Sequence, residues 1–335
     1  MDERKLAEAF GAVQVERAMW YQRRYDIIAD GHLMATGKRI YLGERAGRVC
    51  RYCGKSKPGT AFKKIAHAFP EQIGNKTLID HWECDPCNEH FANKLEDDFA
   101  KWTMPLRTIG RVKGKKGAPT HKTSDEKLRI EAPDAGELRV AALRGDPRYT
   151  VDDVTRTITF RMERQPYVPM GVFKCMVKMA LAVMPPSEAA SCAHLKTWIL
   201  EPAHTFESYR YRPLNVIFQA IPGPLRNDTI KYCLLRRKVG SNDAPFMIFV
   251  LQFTNALLQI ALPMHVEDET LIAAGTCEIG LFPHVWGHAE YERTYGRSGH
   301  QVADLSATSV VKGAVVETRM GYDERVKVEP GAPSG

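Results

Sequence analysis

The sequence predicts an α+β protein: a small cysteine-clamped module within residues 38–122, then a larger α+β domain over 123–312 with a mostly antiparallel sheet. Three observations predict it. Two C-x-x-C pairs, Cys50/Cys53 and Cys84/Cys87, stand thirty residues apart. Strand-like runs at 215–221, 232–239, 246–253 and 256–262 follow one another with short connections. The excess positive charge is confined to one end: residues 1–122 hold 23 Lys/Arg against 15 Asp/Glu, and the remainder holds 24 against 25.

Each element follows in chain order. Leu6, Val13, Trp20 and Ile27 recur every seven residues, which predicts an amphipathic helix over 2–29 within an N-terminal helical extension, 1–37. Such a helix could dock on the body or pair with a second copy in a homodimer. Lys38–Leu42 reads as a short strand. Residues 105–122 (PLRTIGRVKGKKGAPTHK) read as a basic loop closing the module, with six Lys/Arg and no acid. Tyr149–Val151 and Thr155–Met162 alternate like a hairpin. Val172, Phe173, Met176, Met179, Ala180 and Val183 sit at helical spacing. Pro185-Pro186 stops that helix, and another runs from Ser187 to Leu200. Thr254-Asn255 suits a tight turn between two strands. Residues 313–335 end in Pro-Gly-Ala-Pro-Ser-Gly and are expected to form a flexible tail.

Composition narrows the function classes. Hydrophobic residues make up 44% and charged residues 26% of 335, ordinary values for a globular protein. No run approaches the ~20 apolar residues that span a bilayer. The charged N-terminus is unlike a secretory signal, so the expected location is cytoplasmic. Eight cysteines in a chain without such a signal point to metal binding over disulfides. Each C-x-x-C can present two thiolates to one tetrahedral Zn2+, so Cys50, Cys53, Cys84 and Cys87 are the expected ligands. Four thiolates leave no open position, which makes the zinc structural. Cys175, Cys192, Cys233 and Cys277 lie in apolar segments and are expected to be small buried side chains.

Between and after the zinc pairs come His67-Ala-Phe-Pro70, Gly74-Asn75 and Cys87-Asn88. Together with Cys50-Arg-Tyr-Cys53 and Cys84-Asp-Pro-Cys87, this segment of about fifty residues resembles the HNH endonucleases. The resemblance is to their zinc-stapled branch, a ββα-metal fold. It implies two strands and a helix that starts near Asn88. It implies His67 as a general base activating water, Asn75 orienting His67 or its strand, and Asn88 holding a catalytic Mg2+ or Mn2+ ion. The family usually carries a second metal ligand just before the base, where this chain has Ala66. Glu71, Asp85, His90 and Asn93 are the nearby candidates to replace it, with His90 and Asn93 pointing elsewhere on a regular helix.

The expected partner is nucleic acid, DNA ahead of RNA, and no membrane. Arg107, Arg111, Lys113, Lys115 and Lys116 are the candidate phosphate contacts. By analogy with nuclease modules appended to other domains, the 123–312 domain is expected to regulate or assemble the enzyme. An activating ligand or protein would then be a further partner, and antiphage defence or a mobile element the setting. Two alternatives stay open: a non-catalytic zinc module that binds nucleic acid as a regulator, and a nuclease that cleaves RNA.

Overall fold

The computed structural model describes residues 8–133, 136–207, 214–262, 266–274 and 279–327. An α+β architecture is observed, centred on a six-stranded antiparallel sheet. Its strands are β1 (Tyr25–Met34), β9 (Asn215–Ala220), β10 (Thr229–Arg237), β11 (Met247–Phe253), β12 (Ala256–Ala261) and β13 (Gly299–Asp304), in the order β1-β10-β11-β12-β9-β13. Strands β11 and β12 read as nearly continuous apolar runs because both faces of the sheet are covered there. Leu234, Phe249, Leu251 and Leu258 face one core, and Leu235, Ile248, Val250 and Leu257 face another. Thr254 takes a left-handed conformation (φ 45°) in the turn expected between β11 and β12.

Helix α1 (Ala12–Arg24) and the segment around Ile279, Phe282 and Trp286 cover the second face. Gly11 (φ 82°) separates α1 from the helical residues 8–10 before it, and a side chain there would overlap the Gly287 carbonyl. The helix expected over 2–29 therefore stops at Arg24, and residues 2–7 of that expectation lie outside the described residues. Ile27, counted as a helical seam position, lies instead on β1, which pairs with β10 from Tyr25↔Arg237 to Met34↔Thr229. A ladder with a partner two hundred residues away overrides the local seven-residue period, which the β-branched Ile27-Ile28 pair resists.

Helix α4 (Pro169–Val183) fills the first face, with all fifteen of its residues buried. It is followed by a one-turn helix, Pro186–Ala189, and by α5 (Ala193–Leu200). The cysteine module packs on the other side of α4. Its short strands β2 (Ile40–Leu42) and β3 (Leu78–Asp80) pair in parallel. Its helix begins as α2 (Asp85–Phe91), passes through a π-helical segment, Ala92–Glu96, and continues as α3 (Asp97–Ile109). One hydrophobic cluster runs from Cys50 and Phe69 through Phe91, Met176 and Trp198 to Phe249 and Leu305. Module and sheet thus share a core.

A third layer joins two small sheets, β4 (His121–Lys122), β5 (Leu128–Glu131) and β6 (Arg139–Ala142), with β7 (Tyr149–Asp152), β8 (Thr157–Glu163) and β14 (Val315–Gly321). Strand β14 corrects the expected tail: its alternating residues pair with β8 from Val315↔Glu163 to Gly321↔Thr157. Residues 328–335 of that tail lie outside the described residues. The loop expected from 105 is also corrected, since α3 continues through Pro105 to Ile109 with Trp102, Met104 and Thr108 buried. Cys175, Cys192 and Cys233 are buried as expected, and Cys277 lies outside the described residues.

Candidate active site

Cys50 and Cys53 sit on the turn after Val49, and Cys84 and Cys87 flank the start of α2, where Cys84 is the N-cap residue. The four Sγ atoms lie within 4.8 Å of one another. Cys50–Cys87 and Cys53–Cys84 are each 3.7 Å apart. Tetrahedral zinc with bonds near 2.3 Å needs sulfur–sulfur edges of about 3.8 Å, so the donor set fits Zn2+. Among the described residues this is the one group of three or more His, Cys, Asp or Glu side chains close enough to share an ion. Gly54 (φ 70°) closes the first knuckle with its N–H on the Cys50 carbonyl, 2.9 Å away.

The segment carrying His67 forms only a bridge, His67↔Ile79, against β3, in place of a full first strand. Ala68 N donates to Leu78 O at 3.1 Å and Asp80 N to Ala66 O at 2.9 Å. Pro70 and the 3-10 turn Glu71–Ile73 end the pairing there. Asn75, 1% exposed, uses both ends of its amide. Its Nδ2 donates to Phe69 O (2.8 Å) and Leu78 O (3.0 Å), and its Oδ1 accepts from the backbone of Thr77 (3.2 Å) and Leu78 (2.9 Å). Asn75 therefore ties the His67 segment to β3. Gly74 precedes it at φ 94°, a conformation that favours glycine.

The His67 side chain is 20% exposed, and its Nδ1 lies 3.9 Å from Glu71 Oε2. Burial pushes its pKa below the ordinary 6.5; Glu71 opposes this and Lys178 adds to it. The imidazole is thus neutral near pH 7. Asn88 is half-buried on α2. The π-helical segment adds about one residue to two helical turns, so Asn88 and Glu96 share a face of the continuous helix. Glu96 Oε1 lies 3.4 Å from the Lys178 ammonium, which also donates to the His67 carbonyl at 2.8 Å. Glu96 thus reaches the His67 segment through Lys178.

The other candidates divide. Asp85 accepts from the backbone N–H groups of Lys63 and Lys64 at 2.9–3.0 Å, which fixes the chain before His67. His90 points away from Asn88 toward α5, with Nε2 3.0 Å from Ile199 O. Asn93 is exposed in the π-helical segment. Arg107 is not available to a phosphate. It is 7% exposed and donates to Thr103 Oγ1, Gln72 O and Ala100 O at 2.7–3.3 Å. Burial pulls its pKa down to about 10. Arg111 is half-buried, with its carbonyl accepting from Asn227 Nδ2. Lys113, Lys115 and Lys116 are exposed on a tight turn closed by Gly114 and Gly117. Gly114 packs on Gln72, where a side chain would meet Gln72 Cα at 3.2 Å, so the three lysines stand beside the Glu71 turn.

Local sequence did not reveal four further residues. Glu83 and Lys178 form a fully buried ion pair at 3.0 Å, and Glu96 joins it. Arg51, between the zinc ligands, stacks on Trp82 at 4.3 Å. It donates to the carbonyls of Leu181 and Ala182 at the C-terminal end of α4. One signal was present: Lys174 and Lys178 lie four apart on an otherwise apolar helix, which must bury them.

Comparison with known proteins supports a nuclease-type module in this chain. Residues 50–103 match the family model of HNH endonucleases. Searches of curated proteins and of solved structures found no match. The matched segment contains the zinc knuckles, His67, Asn75 and Asn88, and it ends within α3.

Proposed function

With residues 50–103 matching an HNH endonuclease, we propose that the chain is a metal-dependent endonuclease hydrolysing DNA phosphodiester bonds with His67 as general base. The observation that carries the reading is the His67 imidazole, 20% exposed on the segment bridged to β3, with a carboxylate 3.9 Å from Nδ1. Glu71 on that side favours the proton on Nδ1. The Nε2 lone pair then takes a proton from water as the water oxygen attacks phosphorus and the ester P–O bond opposite it breaks, the leaving oxygen taking a proton from solvent. Glu71 also stabilises the imidazolium that forms. Asn75 holds His67 in register without meeting the substrate.

Asn88 would hold a divalent ion, Mg2+ or Mn2+, which neutralises charge on the phosphate oxygens when bound. Its amide oxygen is a hard donor suited to either ion. Glu71, whose carboxylate lies 3.9 Å from His67 Nδ1, would supply the ligand that Ala66 does not. Lys113, Lys115 and Lys116 would grip the flanking backbone, an attraction that weakens steeply with salt. An unrestrained nuclease harms its host, so the sheet that shares the module's core is read as a controlling or assembly unit. Antiphage defence or a mobile element, in the cytoplasm, is the setting that goes with this reading.

Ala66 favours a second reading, a zinc module that binds nucleic acid without cutting it. Plasmid DNA and single-stranded RNA, each incubated with Mg2+ or Mn2+, separate the two. The expected result is DNA cleavage that falls on the order of 1,000-fold in His67→Ala while binding is kept. Salt-sensitive binding with no cleavage of either polymer by wild type would establish the second reading. Cleavage of RNA alone would reassign the substrate.

A further inference from the structure

Lys178 lies outside the segment that matches the nuclease family and 111 residues from His67 in sequence. Its side chain is fully buried. The ammonium donates to His67 O at 2.8 Å and to Ala68 O at 3.3 Å, and it faces Glu83 Oε2 at 3.0 Å and Glu96 Oε1 at 3.4 Å. An ammonium has three N–H donors. Here they are divided between the backbone that carries the imidazole and the two acids.

The arrangement is costly to bury, so its geometry matters. Burial alone would pull the Lys178 pKa down, but Glu83, Glu96 and Asp80 together hold it above its ordinary value. A buried charge repays its desolvation only where the geometry is good and further hydrogen bonds satisfy it. Its helix is pinned at both ends by the same module. Asp98 Oδ1 accepts from Val168 N at 2.9 Å before the first turn, and Arg51 covers the last carbonyls. Lys178 therefore meets the His67 segment from a rigid support. The β-bridge holds that segment on one side through the Ala68 and Asp80 amides, and Lys178 holds it by its carbonyls.

We propose that Lys178 is a positioning residue for the nuclease site, fixing the peptide planes on either side of Ala68 and so the direction of the His67 imidazole. The proposal rests on His67 being the general base.

Removing the ammonium alone would strand Glu83, so the test uses paired substitutions. Lys178→Met with Glu83→Gln removes both charges and every donor to His67 O. Lys178→Gln with Glu83→Gln removes the charges but keeps an N–H donor. Zinc content and a cooperative melt verify folding of each. The expected result with plasmid DNA is a kcat lower on the order of 100-fold in the Met pair, with KM unchanged and partial recovery in the Gln pair. Amide exchange at Ala68 and Asp80 should also quicken in the Met pair relative to wild type. A folded Met pair with wild-type kcat overturns the proposal, as does exchange unchanged at both amides. If wild type cuts no nucleic acid, the nuclease reading fails separately, and the exchange measurement still decides whether Lys178 orders the His67 segment.

Discussion

At the residue scale, two members of one basic run part for a physical reason. Arg107 and Lys113 look alike in a basic run, yet one spends its charge inside the helix packing and the other stays in solvent. Arg107→Ala should lower stability by about 3 kcal/mol, since three hydrogen bonds to a buried guanidinium are lost. It should leave the salt dependence of DNA binding unchanged. The triple substitution Lys113→Ala, Lys115→Ala, Lys116→Ala should do the reverse, with the slope of log affinity against log salt falling by up to about 3. Denaturant melts and binding titrations at several salt concentrations check both. The zinc cysteines were legible because all four ligands lie within one short segment. Glu83, Glu96 and Lys178 were not, because a buried charge is explained only by a partner that the fold delivers from far along the chain.

At the element scale, α1 shows how a seam can be partly right. Its docking rests on polar contacts as well as aromatic ones. Gln14 Oε1 accepts from His284 N at 3.0 Å, and Gln14 Nε2 lies 3.2 Å from His284 Nε2. Ser298 Oγ is 2.8 Å from the same ring nitrogen. An amide donor on Nε2 favours the neutral ring, and burial, then Arg17, pushes the His284 pKa down to about 4. The unfolded chain binds this proton below about 6.5 and the folded chain refuses it until about 4. Stability is therefore complete above pH 6.5 and falls as pH drops toward 4. The melting temperature should decline between pH 7 and 5, and His284→Gln should reduce that decline; an identical decline in the variant would discount this pair. His204, also pushed to about 4 by burial, supplies a share that the variant retains. The α1–β1 boundary at Arg24 could not be read from the heptad, because Ile27 suits either period until β10 is known.

At the scale of the whole molecule, the α+β class, the mostly antiparallel sheet and the turn joining β11 to β12 were legible from nearly continuous apolar runs and Thr254-Asn255. The sharing of one core was not, since composition does not say which apolar faces meet. Phe91, Leu95 and Trp102 of the module lie in the same cluster as Met176, Trp198 and Phe249. A fragment spanning residues 38–122 should bind zinc yet expose that face. It should show a broad, non-cooperative melt and bind a hydrophobic dye. A sharp melt with wild-type cleavage by the fragment would mean that α4 is dispensable.

The edge strand β1 has a consequence for how the protein is made. Tyr25 waits for Arg237, and the carbonyl of His67 waits for Lys178. During synthesis the zinc knuckles emerge long before either partner. A ribosome-bound chain therefore carries the whole family signature while its histidine segment still lacks half of its support. On the proposed nuclease reading, a chain cut short before Lys178 should load zinc yet cleave DNA poorly.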